Sequence, residues 1–122
     1  MEEFEMSHFS TLRTKITDAE ILKNSLQDLG IIVKTDSNVR GHNGQHIHSD
    51  IVAVLEGEYD LGWSLNSDGS YDLVADLWGV AKKHNQTELI NSINQKYAIN
   101  KTLMEVKQRN LGKANINLVL HR

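Results

Sequence analysis

The 122-residue chain contains no cysteine, which removes disulfide frameworks, thiolate metal sites, iron–sulfur clusters and cysteine nucleophiles together. A reducing compartment fits that composition. There is no proline either, and no linker, internal repeat or low-complexity segment divides the chain. No apolar run approaches the roughly 20 residues that a membrane-spanning helix needs, so membrane insertion is not expected. Basic residues are scattered and the formal net charge is −3. The clustered basic face on which nucleic-acid binding by counterion release depends is therefore missing. The opening Met1-Glu2-Glu3-Phe4-Glu5 is acidic, unlike the basic start of a signal or transit peptide. These absences describe a soluble, cytoplasmic chain.

The remaining composition is that of a globular domain. Hydrophobic residues at 39% and charged residues at 24% sit near the averages for such proteins. The length predicts one domain over residues 1–122, large enough to bury a core of its own, with residues 1–6 as a flexible extension.

The period of the apolar residues places the elements. Residues 7–16 alternate and predict a first strand. Thr17 and Glu20 form a capping box for the helix that follows, with Ile16 and Ile21 as its hydrophobic staple. Leu22, Leu26 and Leu29 give that helix one apolar stripe, and Gly30 ends it because it can take a left-handed conformation. Ile31-Ile32-Val33-Lys34-Thr35 is a short second strand. Residues 36–50 are polar and contain glycine, and are expected to be an irregular, mobile loop. Ile51-Val52-Ala53-Val54-Leu55, apolar on both faces, is expected to be a central strand.

Residues 59–65 and 71–76 pair as a hairpin across Asn66-Ser67-Asp68-Gly69-Ser70, with Gly69 at the positive-φ position. Asn85 and Glu88 open a second helix through Leu89, Ile90, Ile93 and Tyr97. Asn100 is a point of restart or kink, and Gly112 the break. Residues 115–121 alternate again, with Ile116, Leu118 and Leu120 on one face. The sum is an α+β fold: a mainly antiparallel sheet of five or six strands with two or three helices on one face. The element order is that of a ferredoxin-like split β-α-β with an inserted hairpin.

Several phrases carry a family resemblance: Met6-Ser7-His8-Phe9-Ser10, Leu26-Gln27-Asp28-Leu29-Gly30, Tyr59-Asp60-Leu61-Gly62, Asp68-Gly69-Ser70-Tyr71-Asp72-Leu73-Val74-Ala75-Asp76 and Gln95-Lys96-Tyr97-Ala98. In this order and spacing the chain resembles the hypothetical chloroplast reading frame thirty-five family, a domain of unknown function in cyanobacteria, plastids and some of their viruses. The resemblance runs from Met6 onward. The chain departs from it in the five residues before Met6, in Leu77-Trp78 where the family often has two tryptophans, and in a closing turn trimmed to Leu111-Gly112-Lys113-Ala114. The resemblance implies lineage and fold. It also implies a cyanobacterial cytoplasm, a plastid stroma or a phage-infected host cell as the location. It brings no catalytic residues, because the family has no established reaction.

Three constellations are candidates for chemistry. His42, His46 and His48 are spaced so that His46 and His48 face one side of an extended segment, where two imidazoles and a third ligand, His42 or Asp50, would suit Zn²⁺ or Ni²⁺. The other reading is a set of solvated loop histidines without the supporting hydrogen bonds that metal ligands need. Asp60, Asp72 and Asp76 lie on the hairpin strands, as an acid–base set or simply as the solvated face of a sheet. Arg40-Gly41-His42-Asn43-Gly44 resembles a phosphate cradle in composition, but a strand rather than a helix follows it, so it reads as a turn. Trp63 falls on an apolar face and is expected in the core. Trp78 is either a lid on the core or an interaction anchor. The expected function is non-enzymatic protein binding through Trp78, Tyr71, Asp76 and Arg40, without cofactor; the alternative is a metal- or small-molecule sensor built on His42, His46 and His48.

Overall fold

The computed structural model describes residues 8–112. Its elements are β1 (Ser10–Arg13), α1 (Ala19–Asp28), β2 (Ile32–Arg40), β3 (His46–Val54), β4 (Leu61–Leu65), β5 (Tyr71–Ala75), α2 (Leu77–Ala81) and α3 (Gln86–Gly112), with a 3₁₀ turn at His42–Gly44 between β2 and β3. All five strands join one antiparallel sheet in the order β1-β5-β4-β3-β2. Strands β2 to β5 form a meander, and β1 closes it beside β5. The fold is α+β, as expected. The strand expected at residues 115–121, which a split β-α-β arrangement requires, lies outside the described residues.

The core lies between the sheet and helices α1 and α3. Cross-strand registers align Ile51, Trp63, Leu73 and Leu12 in one row across the sheet. The first three are buried together with Leu22 and Leu26 of α1 and Ile93 and Tyr97 of α3. Among the described residues, no helix is long and apolar enough to cross a membrane.

The start of α1 differs from the sequence reading. Asp18, not Thr17, is the N-cap, its carboxylate accepting from the Ile21 amide at 3.1 Å. The capping box fails because the Thr17 and Asp18 amides both donate to the Tyr97 hydroxyl, at 3.1 and 3.0 Å. A residue 80 positions away has taken the role expected of Glu20, which pairs with Lys23 instead. Asp18→Ala should therefore cost about 0.5–2 kcal/mol in urea denaturation. Thr17→Ala, at an exposed position with no capping contact, should stay within about 0.5 kcal/mol of wild type.

At the other end of α1, Gly30 takes φ +78°. Its amide donates to Gln27 O, and the Ile31 amide to Leu26 O, satisfying carbonyls that the helix leaves open. Leu29 falls at this turn and is exposed, so the buried stripe is Ile21, Leu22, Ser25 and Leu26. The hairpin forms as expected, with Gly69 at φ +92°. Asn85 caps α3 by accepting from the Glu88 amide. Asn100 does not interrupt that helix. Its side-chain amide donates to Ser25 Oγ at 3.0 Å and to Asp28 Oδ2 at 3.1 Å, tying α3 to α1.

The largest difference concerns residues 36–50. They are not an irregular loop but the outer half of the β2–β3 hairpin, paired as far as Arg40 and His46. Asp36 takes φ +50° and drops out of the ladder between the Thr35–Ile51 and Ser37–Ser49 pairs. Beyond it the hairpin covers the face of the sheet opposite the helices, and Val39 is fully buried there. Gly62 of β4 makes this approach possible: a Cβ at that position would run into Val39 and Ser49. Ser64 Oγ donates to Ser49 Oγ alongside, at 3.1 Å. Strand β3 is next to the edge strand β2 rather than central, yet Ile51, Val52 and Ala53 are buried on both faces because the hairpin folds over its own sheet.

Candidate functional site

The tip of the folded hairpin is held by two buried carboxylates, Asp60 and Asp76. Asp60 receives four donors. Its Oδ2 accepts from Arg40 Nε at 2.8 Å and from the Arg40 amide at 3.0 Å. Its Oδ1 accepts from Arg40 Nη2 at 2.8 Å and from the Leu55 amide at 3.1 Å. The fork-on-fork geometry is the strongest form of an arginine–carboxylate pair. It raises the Arg40 guanidinium above its ordinary value, chiefly through the hydrogen bond to Asp60. Arg40 Nη2 also donates to Leu55 O at 2.9 Å, closing the network.

Asp76 works in two directions. Its Oδ1 accepts from the Gly79 amide and caps α2, while its Oδ2 accepts from the His42 amide, both at 3.1 Å. One side chain thus ties the hairpin tip to the start of a helix. Around this knot, the Phe9 ring lies so close to Gly41 that a Cβ there would collide with it. The His8 and His42 rings lie against each other with centroids 4.3 Å apart and planes tilted by 35°. The Tyr59 ring occupies the space that a side chain at position 79 would need, and Lys82 Nζ sits 5.7 Å from its centroid. Trp78 projects from the first turn of α2 and is 84% exposed.

These contacts sort the residues picked out from the sequence. Trp78 is on the surface, not a lid. Arg40 is half-exposed, its inner edge committed to Asp60. Tyr71 and Asp76 are buried and offer no surface to a partner. Burial, the largest influence, raises the Tyr71 hydroxyl above its ordinary value. Both faces of β5 are largely covered. Two of the three aspartates, Asp60 and Asp76, are not on a solvated face of the sheet, while Asp72 is only half-buried. Asp60 and Asp76 are interior hydrogen-bond acceptors, and Asp72 accepts from Asn66 Nδ2 at 2.8 Å.

The histidine triple is divided. His46 and His48 lie on β3, paired in register with Arg40 and Asn38. His48 Nε2 meets Asp36 Oδ1 at 2.5 Å. His42 turns away into the 3₁₀ turn and packs against His8. Among the described residues, no group of three histidine, aspartate or glutamate side chains is placed to hold a metal ion. The Arg40–Gly44 segment is the hairpin turn, with Asn43 and Gly44 at positive φ, and no helix begins after it. Sequence reading missed His8 and Asp60 as members of one cluster with Arg40 and His42. The signal was present in the resemblance, since the phrases around His8, Asp60 and Asp76 all come together here.

A family model described as a protein of unknown function, DUF1257, matches residues 25–113. The uncharacterized protein ycf35 of Guillardia theta is 38% identical over 100 residues, covering 80% of this chain and 77% of that protein. Its counterpart in Pyropia yezoensis is 34% identical over 110 residues, covering 88% and 84%. The one in Cyanophora paradoxa is 26% identical over 126 residues, covering 96% and 98%. No solved structure matches the chain. With most of its length matched by the family model and by relatives above 30% identity, the chain belongs to the DUF1257 family of proteins of unknown function, alongside the ycf35 proteins.

Proposed function

We propose that this domain is a non-enzymatic module that binds another protein through the exposed indole of Trp78. The observation that carries the reading is an indole 84% exposed on a helix that cannot shift easily. Helix α2 is capped by Asp76 and pressed against Tyr59 at Gly79. Tryptophan and arginine are the residues most enriched among those that dominate binding energy, and a rigid anchor loses little entropy on binding. A role in assembly or regulation of a photosynthesis-linked process, in plastids or cyanobacteria, is the finer part of the proposal. It rests on the chloroplast reading frame that the relatives' name denotes.

The test joins a stability measurement to a binding one. Trp78→Ala should leave the urea midpoint within about 0.5 kcal/mol of wild type, as for a surface substitution. It should also remove capture of a partner from a photosynthetic host extract, since such anchors contribute about 2 kcal/mol or more. Capture at wild-type strength by the variant would refute the assignment.

A further inference from the structure

The β2–β3 hairpin turns at Asn43 and Gly44, the one place in the chain where glycine follows asparagine. Asn43 takes φ 55° and ψ 39°, Gly44 takes φ +75°, and the Gln45 amide donates to His42 O at 2.9 Å. This is a type I′ turn, which needs positive φ at both central residues and therefore favours Asn-Gly. The Gly41 amide donates to Gln45 O at 2.7 Å just inside it, and the His42 amide is tied to Asp76. Both central residues are exposed to water. The same dipeptide carries a reactivity of its own. With no β-carbon on glycine to hinder it, the following backbone nitrogen can attack the asparagine side chain.

We propose that Asn43 is a self-modification site, guarded by the folded turn and converted to isoaspartate when the hairpin tip opens. The Gly44 nitrogen attacks the Asn43 side-chain carbonyl carbon, and the amide proton leaves with the departing ammonia. A succinimide ring then joins the two residues. Water opens it at one carbonyl to give aspartate, or at the other to give isoaspartate, whose main chain runs through the β-carbon. Ring closure needs the Gly44 nitrogen beside the Asn43 β-carbon. At ψ 39° the handedness of an L-residue puts that nitrogen on the far side of the α-carbon, so the closed turn blocks the reaction. Local opening releases the block, and the Asp60 and Asp76 contacts that hold the tip oppose that opening. The product cannot return to the same turn. Isoaspartate adds a main-chain atom to a loop whose two residues match the twist of the flanking strands, and the bonds at Gly41 and Gln45 are lost with that match. The hairpin tip thereby records its own opening as a lasting covalent change.

The test is incubation of the full chain in mildly alkaline buffer, with conversion followed at each asparagine by peptide mass spectrometry and isoaspartate by enzymatic methylation. A peptide of residues 40–46 is the unprotected reference. Asn43 should convert before any other asparagine of the chain, yet at least about tenfold more slowly than in the peptide, because reaction waits on local opening. Asp60→Ala and Arg40→Ala, which loosen the tip, should each speed conversion at least about threefold over wild type. An Asp60 variant that unfolds altogether would merely match the peptide, so the milder Arg40→Ala decides this point. In the aged wild type, amide exchange at Gly41 and Gln45 should rise with the isoaspartate content. Asn43→Gly, which keeps a type I′ turn without the reactive side chain, should show no such rise. An Asn43 that stays intact, or that converts after another asparagine, would overturn the proposal. So would equal rates in peptide, wild type and Arg40→Ala, or exchange at the tip unchanged after full conversion.

Discussion

Asp60→Ala should lower the unfolding free energy by about 3–5 kcal/mol, because two backbone amides and the inner edge of Arg40 lose one buried acceptor together. The carboxylate is 2% exposed and accepts from four donors on two segments. Its loss leaves the Arg40 and Leu55 amides without their acceptor. Each buried amide deprived in this way costs about 1–3 kcal/mol. Arg40→Ala should cost less, about 1.5–3 kcal/mol, the range for hydrogen bonds to a charged group. Asp60 then keeps both backbone donors, and the half-exposed arginine gives up a side chain that water partly solvates already. The ordering of the two losses in urea denaturation is the check. If Arg40→Ala proves the more damaging, the hairpin tip is held by the arginine's packing and not by the buried carboxylate. Amide exchange at Val39 should rise in the Asp60 variant more than at Leu26, since the damage is local to the folded hairpin.

The same network explains what the sequence hid. Residues 36–50 contain few apolar side chains, chiefly Val39 and Ile47, so their period gave no strand signal. Their place is set instead by Asp60 and Asp76, which lie 20 and 34 positions from Arg40 and His42. A carboxylate that accepts backbone amides from a distant segment looks, in sequence, like one that faces water. The hairpin at residues 61–75 was legible because its alternation and Gly69 act locally. The first helix was legible in its Leu22 and Leu26 stripe, but not in its cap, because the Tyr97 hydroxyl arrives from another helix. Helix α2 was missed: five residues with a glycine among them carry no helical period. Its cap, Asp76, had been read as the end of a strand. For the candidate site, the exposed indole and the arginine were legible as residue types. That Tyr71 and Asp76 are buried was not, because alternation tells the two faces of a strand apart without saying what covers each.

Trp63→Ala should cost about 3–5 kcal/mol, as for an aromatic side chain removed from a core that cannot collapse around the space. Three features oppose collapse at this position. Its cross-strand neighbours Ile51 and Leu73 are fixed by the ladder. The adjoining Gly62 is locked beneath Val39 and Ser49. On the helix side, Ile93 and Tyr97 line the same groove as the indole, and the Tyr97 hydroxyl is committed to the two amides at the start of α1. Trp78→Ala serves as the internal control, since it deletes the same side chain from a position that is 84% rather than 2% exposed. The two variants should differ by at least about 3 kcal/mol in unfolding free energy. Tryptophan fluorescence offers a second reading, because each variant retains one indole. The chain keeping only Trp63 should emit at shorter wavelength than the one keeping only Trp78, and should shift to longer wavelength on unfolding. Similar spectra and similar stabilities for the two variants would contradict both placements, and with them the anchor assigned to Trp78.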